Sequence, residues 1–215
     1  MLLQALLALA ARHDAILTNG NDSEASAFHG ECLRLLIIAL NRPPEDYDDN
    51  LLLTVVVLRF YEELERRTDE KYHLGSNHLL NLMSRSASSG GLAEAVSWQF
   101  LRQAIYSSIV QYEPLQLDMR NYEHSSVFHR DDDAAHANVI IFFCACIIQL
   151  CSAAPGYAID QKAWQHLADR VKKWHRNKPK TWQPLRYREP DLSADRPFPE
   201  LWIMSRPAGR SRFHS

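Results

Sequence analysis

Gly90-Gly91 opens a run, Leu-Ala-Glu-Ala-Val-Ser-Trp98-Gln-Phe-Leu101-Arg102-Gln103-Ala-Ile105-Tyr106, that no further glycine or proline interrupts. Its apolar side chains recur every three to four residues, the spacing that gathers them on one stripe of a helix. The same period returns in long windows elsewhere, and the chain has only seven glycines to break it. The expected fold is therefore all-α, an irregular bundle of about seven to eight helices, without a convincing strand pair.

With 215 residues, 46% of them hydrophobic and 23% charged, the chain reads as globular and large enough to bury a core. A net charge of −2 and a pI near 6.5 supply no global basic field, so DNA binding by this chain itself is disfavoured. Three of the four cysteines, Cys144, Cys146 and Cys151, sit in the apolar run Val139-Ile-Ile-Phe-Phe-Cys-Ala-Cys-Ile-Ile-Gln-Leu-Cys151; the fourth is Cys32. They read as buried, reduced thiols of a reducing compartment. Cys-x-Cys-x4-Cys on one helix cannot wrap a tetrahedral ion, so no metal site is expected. The run is shorter than the roughly 20 apolar residues of a spanning helix, and no membrane partner is expected.

The opening, Met1-Leu-Leu-Gln-Ala-Leu-Leu-Ala-Leu-Ala-Ala-Arg12, imitates a secretory leader in its small residues Ala8 and Ala10. It lacks a basic start, and Gln4 divides the apolar block. Leu2, Leu3, Leu6, Leu9 and Ala10 instead trace one face of a helix over 2–17, closed by the Asn19-Gly20 turn. A second helix from Ser23 directs Phe28, Cys32, Leu35, Leu36 and Leu40 to a core and ends at Pro43-Pro44. Asp46 or Asp48-Asp49 caps a third, apolar nearly all round from Leu51, which marks it as central. A fourth is expected over 72–84 and a fifth from Gly91 toward Tyr112. Residues 113–133 read as an irregular, flexible connection. A buried sixth helix over 134–152 and an amphipathic seventh over 160–176, with Trp164, Leu167, Val171 and Trp174 on one face, complete the series. Residues 1–112 thus form the N-terminal helical half of one domain, 134–204 its C-terminal part, and 205–215 a disordered tail.

Chemistry-bearing motifs are few. Asp131-Asp132-Asp133 imitates the magnesium-binding aspartate box of isoprenoid enzymes, yet no second acidic cluster accompanies it, and helix capping explains it. His129-Arg130-Asp131 imitates a kinase triplet, but His136 stands where the magnesium-binding Asn belongs. The pairs His73/His78 and His124/His129 are five residues apart, off the one-turn spacing of two ligands on a helix. The basic stretch Arg170, Lys172, Lys173, His175, Arg176, Lys178 and Lys180 suits an import signal or a phosphate patch, although complementing the dipole at a helix C-terminus explains it more simply. Trp98, Phe100, Tyr106, Trp164, Trp174 and Trp182 can line an effector cavity, but their helical spacing makes ordinary core the default. No catalytic residue, no metal ligand and no cofactor-binding residue is assigned.

Five segments in order carry a family resemblance: Leu2 to His13; Leu51-Leu-Leu-Thr-Val-Val-Val-Leu-Arg59-Phe60-Tyr61-Glu62-Glu63; Gly90 to Tyr106; Asp133-Ala-Ala-His136-Ala137-Asn138; and Trp164-Gln-His-Leu167 continuing to Trp174, Pro179, Trp182, Pro184 and Phe198-Pro199. Together they resemble the fungal-specific transcription factor domain, the helical regulatory region downstream of zinc-cluster DNA-binding modules, and within it the group of arginine-catabolism activators. His136 and Val139 depart from the Trp and Arg expected around the Ala137-Asn138 pair.

The resemblance implies a non-catalytic regulatory domain in a nuclear regulator of RNA polymerase II transcription, with the cytoplasm as the second location. It implies protein partners or a homodimer, and is compatible with control by a small-molecule effector. Zinc belongs only to the family's N-terminal DNA-binding module, whose residues map onto nothing here, so DNA is reached only through that module. The chain is accordingly expected to be a fragment or the product of an incorrect gene model. Two alternatives are a truncated helical protein that pairs with a full-length homologue, and a magnesium-dependent all-α enzyme using Asp131 to Asp133.

Overall fold

The computed structural model describes residues 1–43, 47–64, 83–152, 160–179, 182 and 184–202. Among them are seven α-helices, α1 (Leu2–Thr18), α2 (Ser23–Leu40), α3 (Asp49–Leu64), α4 (Gly91–Gln111), α5 (Arg120–Glu123), α6 (Asp133–Ser152) and α7 (Gln161–Asn177), with a further helical turn at 83–85. The architecture is an all-α, multi-helix bundle. The fourth helix expected over 72–84 and the tail 205–215 lie mostly or wholly outside the described residues. The chain divides into two compact units, Met1–Val171 and Lys172–Ser215, so the division falls within α7 and not at 113–133.

In the first unit α1 packs against α2 and α3, and α3 packs in turn against α4. The face that α1 buries is not the leucine face expected from its spacing. Ala5 and Ala8 are fully buried, whereas Leu3 is 65% exposed and Leu6 is exposed as well. Small side chains let the backbone of α1 approach both neighbours closely, and Ala8 joins Ala25 and Tyr61 in a cluster that Leu9, Ala11 and Phe28 surround. His29 stacks on Tyr61 with ring centroids 4.3 Å apart. Arg12 pairs with Asp22 and reaches Leu64 O at 3.4 Å, tying α1 to the start of α2 and the end of α3.

Local sequence explains the helix ends. Asn19, the first residue of the expected Asn19-Gly20 turn, takes the left-handed conformation that stops α1 (φ 51°). Asp48 Oδ1 accepts from Leu51 N at 2.9 Å and starts α3, which buries Leu51, Leu52, Thr54, Val55, Val56, Leu58 and Tyr61, as a central helix should. Gly90 and Gly91 (φ 75° and 58°) occupy backbone that only glycine enters at little cost, and α4 begins there.

Two regions differ from expectation. Residues 113–133 contain α5 and a 3-10 turn at Ser126–His129, and they bury Leu115, Leu117, Met119, Tyr122, Ser125 and Val127. The segment belongs to the core of the first unit; its short, irregular backbone hides that from any periodicity argument. The second unit holds an antiparallel strand pair, β1 (Arg186–Arg188) and β2 (Glu200–Trp202), where no strand pair was expected. Three-residue strands are too short to display an alternating pattern.

Candidate functional site

The residues expected to carry chemistry are dispersed by the fold. Asp132 is committed to structure: Oδ1 accepts from Ala135 N at 3.0 Å at the start of α6, and Oδ2 accepts from Arg130 Nε at 2.7 Å. Those bonds hold its carboxyl below the usual range, Arg130 contributing most. Asp131 Oδ1 lies 3.1 Å from His136 Nε2. Among the described residues no group of three or more His, Cys, Asp or Glu is placed to hold a metal ion. Of the histidine pairs, His73/His78 lie outside the described residues, while His124 ends α5 and His129 closes the 3-10 turn.

The cysteines are free thiols, but the expected burial holds in full only for Cys32: Cys144 and Cys146 are half-buried and Cys151, at the end of α6, is exposed. Cys32 is buried, with its thiol pushed up by desolvation, and burial raises Cys146 to about 11 and lifts Cys144 in the same direction. Such thiols are poor nucleophiles. Among the described residues α6 is the one helix long and apolar enough, by length and composition, to cross a membrane. It is longer than the run 139–151 taken alone, and it buries Ala135, Phe142, Phe143 and Ala145 within the protein.

The aromatic set does not form one lining. Trp98 and Phe100 are core residues of α4, and Tyr106 and Trp164 are exposed. In the second unit Trp174 and Trp182 form an edge-to-face pair at 6.3 Å. Of the basic stretch, His175 and Arg176 stand in the last turn of α7, where cations offset the helix dipole.

A polar constellation that the sequence reading missed lies where α4 meets residues 83–84 and 121–127. Glu94, 5% exposed, accepts from the hydroxyls of Ser125 and Ser126, the latter at 2.8 Å. Ser125 Oγ in turn accepts from Trp98 Nε1 at 3.0 Å and from Val127 N at 3.2 Å, which caps the 3-10 turn. Ser97 Oγ donates to Met83 O at 2.6 Å and lies 2.9 Å from Tyr122 Oη, which donates to Ser97 O at 3.1 Å. Asn121 Nδ2 reaches Ser84 Oγ at 3.0 Å. Burial raises the Tyr122 phenol far above its ordinary value. A closed set of donors and acceptors of this kind fixes a loop against a helix. No sequence signal distinguishes these serines from surface ones; Glu94, in the first turn of α4, reads simply as complementing the helix dipole.

A second polar seam joins α3 to α4. Arg59 Nη2 donates to Ser107 Oγ at 2.9 Å, and its guanidinium lies 5.3 Å from the centre of the Phe100 ring. Gln103 Nε2 donates to Val56 O at 3.2 Å, while its Oε1 is buried with no donor. Between α4 and α6, Arg102 bonds Asn138 Oδ1 and Trp98 O, and burial lowers its pKa. Both seams involve residues of the five ordered segments.

No protein-family model, curated protein or solved structure matches the chain.

Proposed function

We propose that this chain is a non-catalytic regulatory domain of a fungal zinc-cluster transcription factor, acting in the nucleus through contacts with protein partners. The observation that carries the reading is the distribution of exposed apolar side chains along helix edges. On α1 these include Leu3, Leu6, Leu7, Ile16 and Leu17; on α2, Ile37 and Ile38; on α4, Leu92 and, at one-turn spacing, Tyr106, Ile109 and Val110. Rows of this kind mark surfaces that other proteins cover. The ordered segments that resemble the fungal domain supply the family, and α4, which carries the longest of them, is bonded to its neighbours by Glu94, Ser97, Trp98, Arg102 and Gln103.

Fusing the full chain to a heterologous DNA-binding module and measuring a reporter in fungal nuclei tests the proposal. Reporter output should change several-fold and return to the level of the module alone when Ile109→Asp and Val110→Asp are introduced together in a protein that still folds. Unchanged output with the native chain contradicts it. The alternative, a helical protein that pairs with a full-length homologue, draws on the same exposed rows. It requires co-purification with such a relative, lost in the same double variant.

A further inference from the structure

The net charge of −2 is the sum of two opposed parts. Residues 1–171 carry 13 Lys and Arg against 22 Asp and Glu, a net of −9, whereas residues 172–215 carry 11 against 4, a net of +7. Whole-chain charge therefore conceals a strongly basic unit of 44 residues (172 to 215), and such a local field, not the chain average, governs attraction of a polyanion.

The strand pair gives that charge a shape. Arg186 stands opposite Trp202 and Arg188 opposite Glu200, so by the two-residue period of a strand all four share one face. The Arg186 guanidinium lies 5.6 Å from the Trp202 ring centre. Glu200 is the common partner of Arg188 at 3.4 Å and Arg196 at 3.9 Å, and it also accepts from Trp202 Nε1 at 3.0 Å. Two guanidiniums thus share one carboxylate and a third lies over the neighbouring ring, leaving a surplus of positive charge beside an aromatic side chain. Trp202 is 55% exposed, and Tyr187 and Phe198 are exposed more. On α7, Lys173 and Arg176 are exposed and one turn apart, and add two cations to the same unit.

We propose that the Lys172–Ser215 unit binds single-stranded nucleic acid, with phosphates held by Arg186, Arg188, Lys173 and Arg176 and a base stacked at Trp202. An exposed aromatic ring flanked by cations on one face, as Trp202 is by Arg186 and Arg188, is what single-strand binders use: charge follows the backbone, and the ring accepts bases of any identity. A membrane-surface segment instead separates an apolar face from a basic one, which the shared face of Trp202 with Arg186 and Arg188 does not do. The inference stands on the charge division and the strand face, independently of the regulatory reading above.

Fluorescence anisotropy of a labelled oligothymidylate strand with the full chain, over a salt series, tests it. Binding should be saturable and weaken as salt rises. Arg186→Gln with Arg188→Gln should lower affinity roughly tenfold and reduce the slope of log affinity against log salt by about 1.4, two phosphate contacts at ~0.7 each. Trp202→Leu should weaken binding with the slope unchanged. Lys173→Gln with Arg176→Gln, away from the strands, should reduce the slope even where the strand variants fail to fold. No binding at low salt overturns the proposal. So does affinity unaltered in the folded variants, or equal affinity for heparin or phosphatidylserine vesicles together with a silent Trp202→Leu, which would leave a general polyanion or membrane surface.

Discussion

Helices α4 and α6 are nearly the same length, 21 and 20 residues, yet α4 buries ten of its residues and α6 only four. The order is the reverse of what apolar content suggests, since α6 is the helix apolar enough to be weighed as a membrane span, while α4 carries Glu94, Ser97, Gln103 and Ser108 into the interior. The difference lies in partners. Glu94 and Ser97 meet donors and acceptors from residues 83–84 and 121–127, and Ser108 Oγ donates to Glu113 O, so each polar group buried there helps fix one register of packing. On α6, Gln149 bonds Leu115 O and Leu117 O, and Arg102 of α4 reaches Asn138, but Val139, Ile140, Ile141, Ile147 and Ile148 remain half-exposed. Burial without specific partners is non-directional, and hydrophobicity by itself does not decide which helix becomes the spine.

The contrast breaks most readily at Trp98. Trp98→Ala removes a ring 2% exposed, its edge-to-face contact with Tyr122 and its bond to Ser125, and should cost about 3–5 kcal/mol in urea unfolding. A loss near that of a surface residue would remove α4 from the role assigned to it. Next is Glu94→Ala, which leaves the hydroxyls of Ser125 and Ser126 without their acceptor and should cost about 1–3 kcal/mol, with early exposure of 121–129 to limited proteolysis.

Alkaline pH probes both helices at once. The Cys146 thiol of α6 is pushed from 9.0 to about 11, and the Tyr122 phenol beside α4 is raised as well, both chiefly by burial. In this window the unfolded chain releases protons that the folded chain retains. The Cys146 contribution is therefore fully present below pH 9.0 and is lost as pH rises through about 11, and that of Tyr122 is lost in the same direction at higher pH. Urea midpoints on either side of the window should fall with rising pH; a rise would contradict the burial of both groups. The smallest effect is expected from Ile140→Ser on half-exposed α6, below about 1 kcal/mol, together with reduced self-association in sedimentation.

Much of this was legible in the residues. Apolar period and end signals locate α1, α2, α3, α4, α6 and α7, because each is long enough to repeat its pattern several times. The face that α1 buries was not legible: spacing marks a leucine face, but Ala5 and Ala8 win because their small side chains admit close helix approach. Residues 113–129 escaped because their core role rests on pairings between serines, Glu94 and Tyr122 that are distant in sequence. The strand pair escaped because Pro190, Pro197 and Pro199 separate its two short strands without any periodic run. Charge division was fully available from the sequence; the average of −2 hid it.

Native-state hydrogen exchange along the full chain tests the central claim most directly, since it ranks segments by the free energy of opening. The account predicts that amides of 94–108 and 121–127 exchange most slowly, by the global route, and that those of 139–151 exchange faster through local opening. Slower exchange across 139–151 than across 94–108 would contradict it, and would make apolar content, not polar partnering, the determinant of the spine.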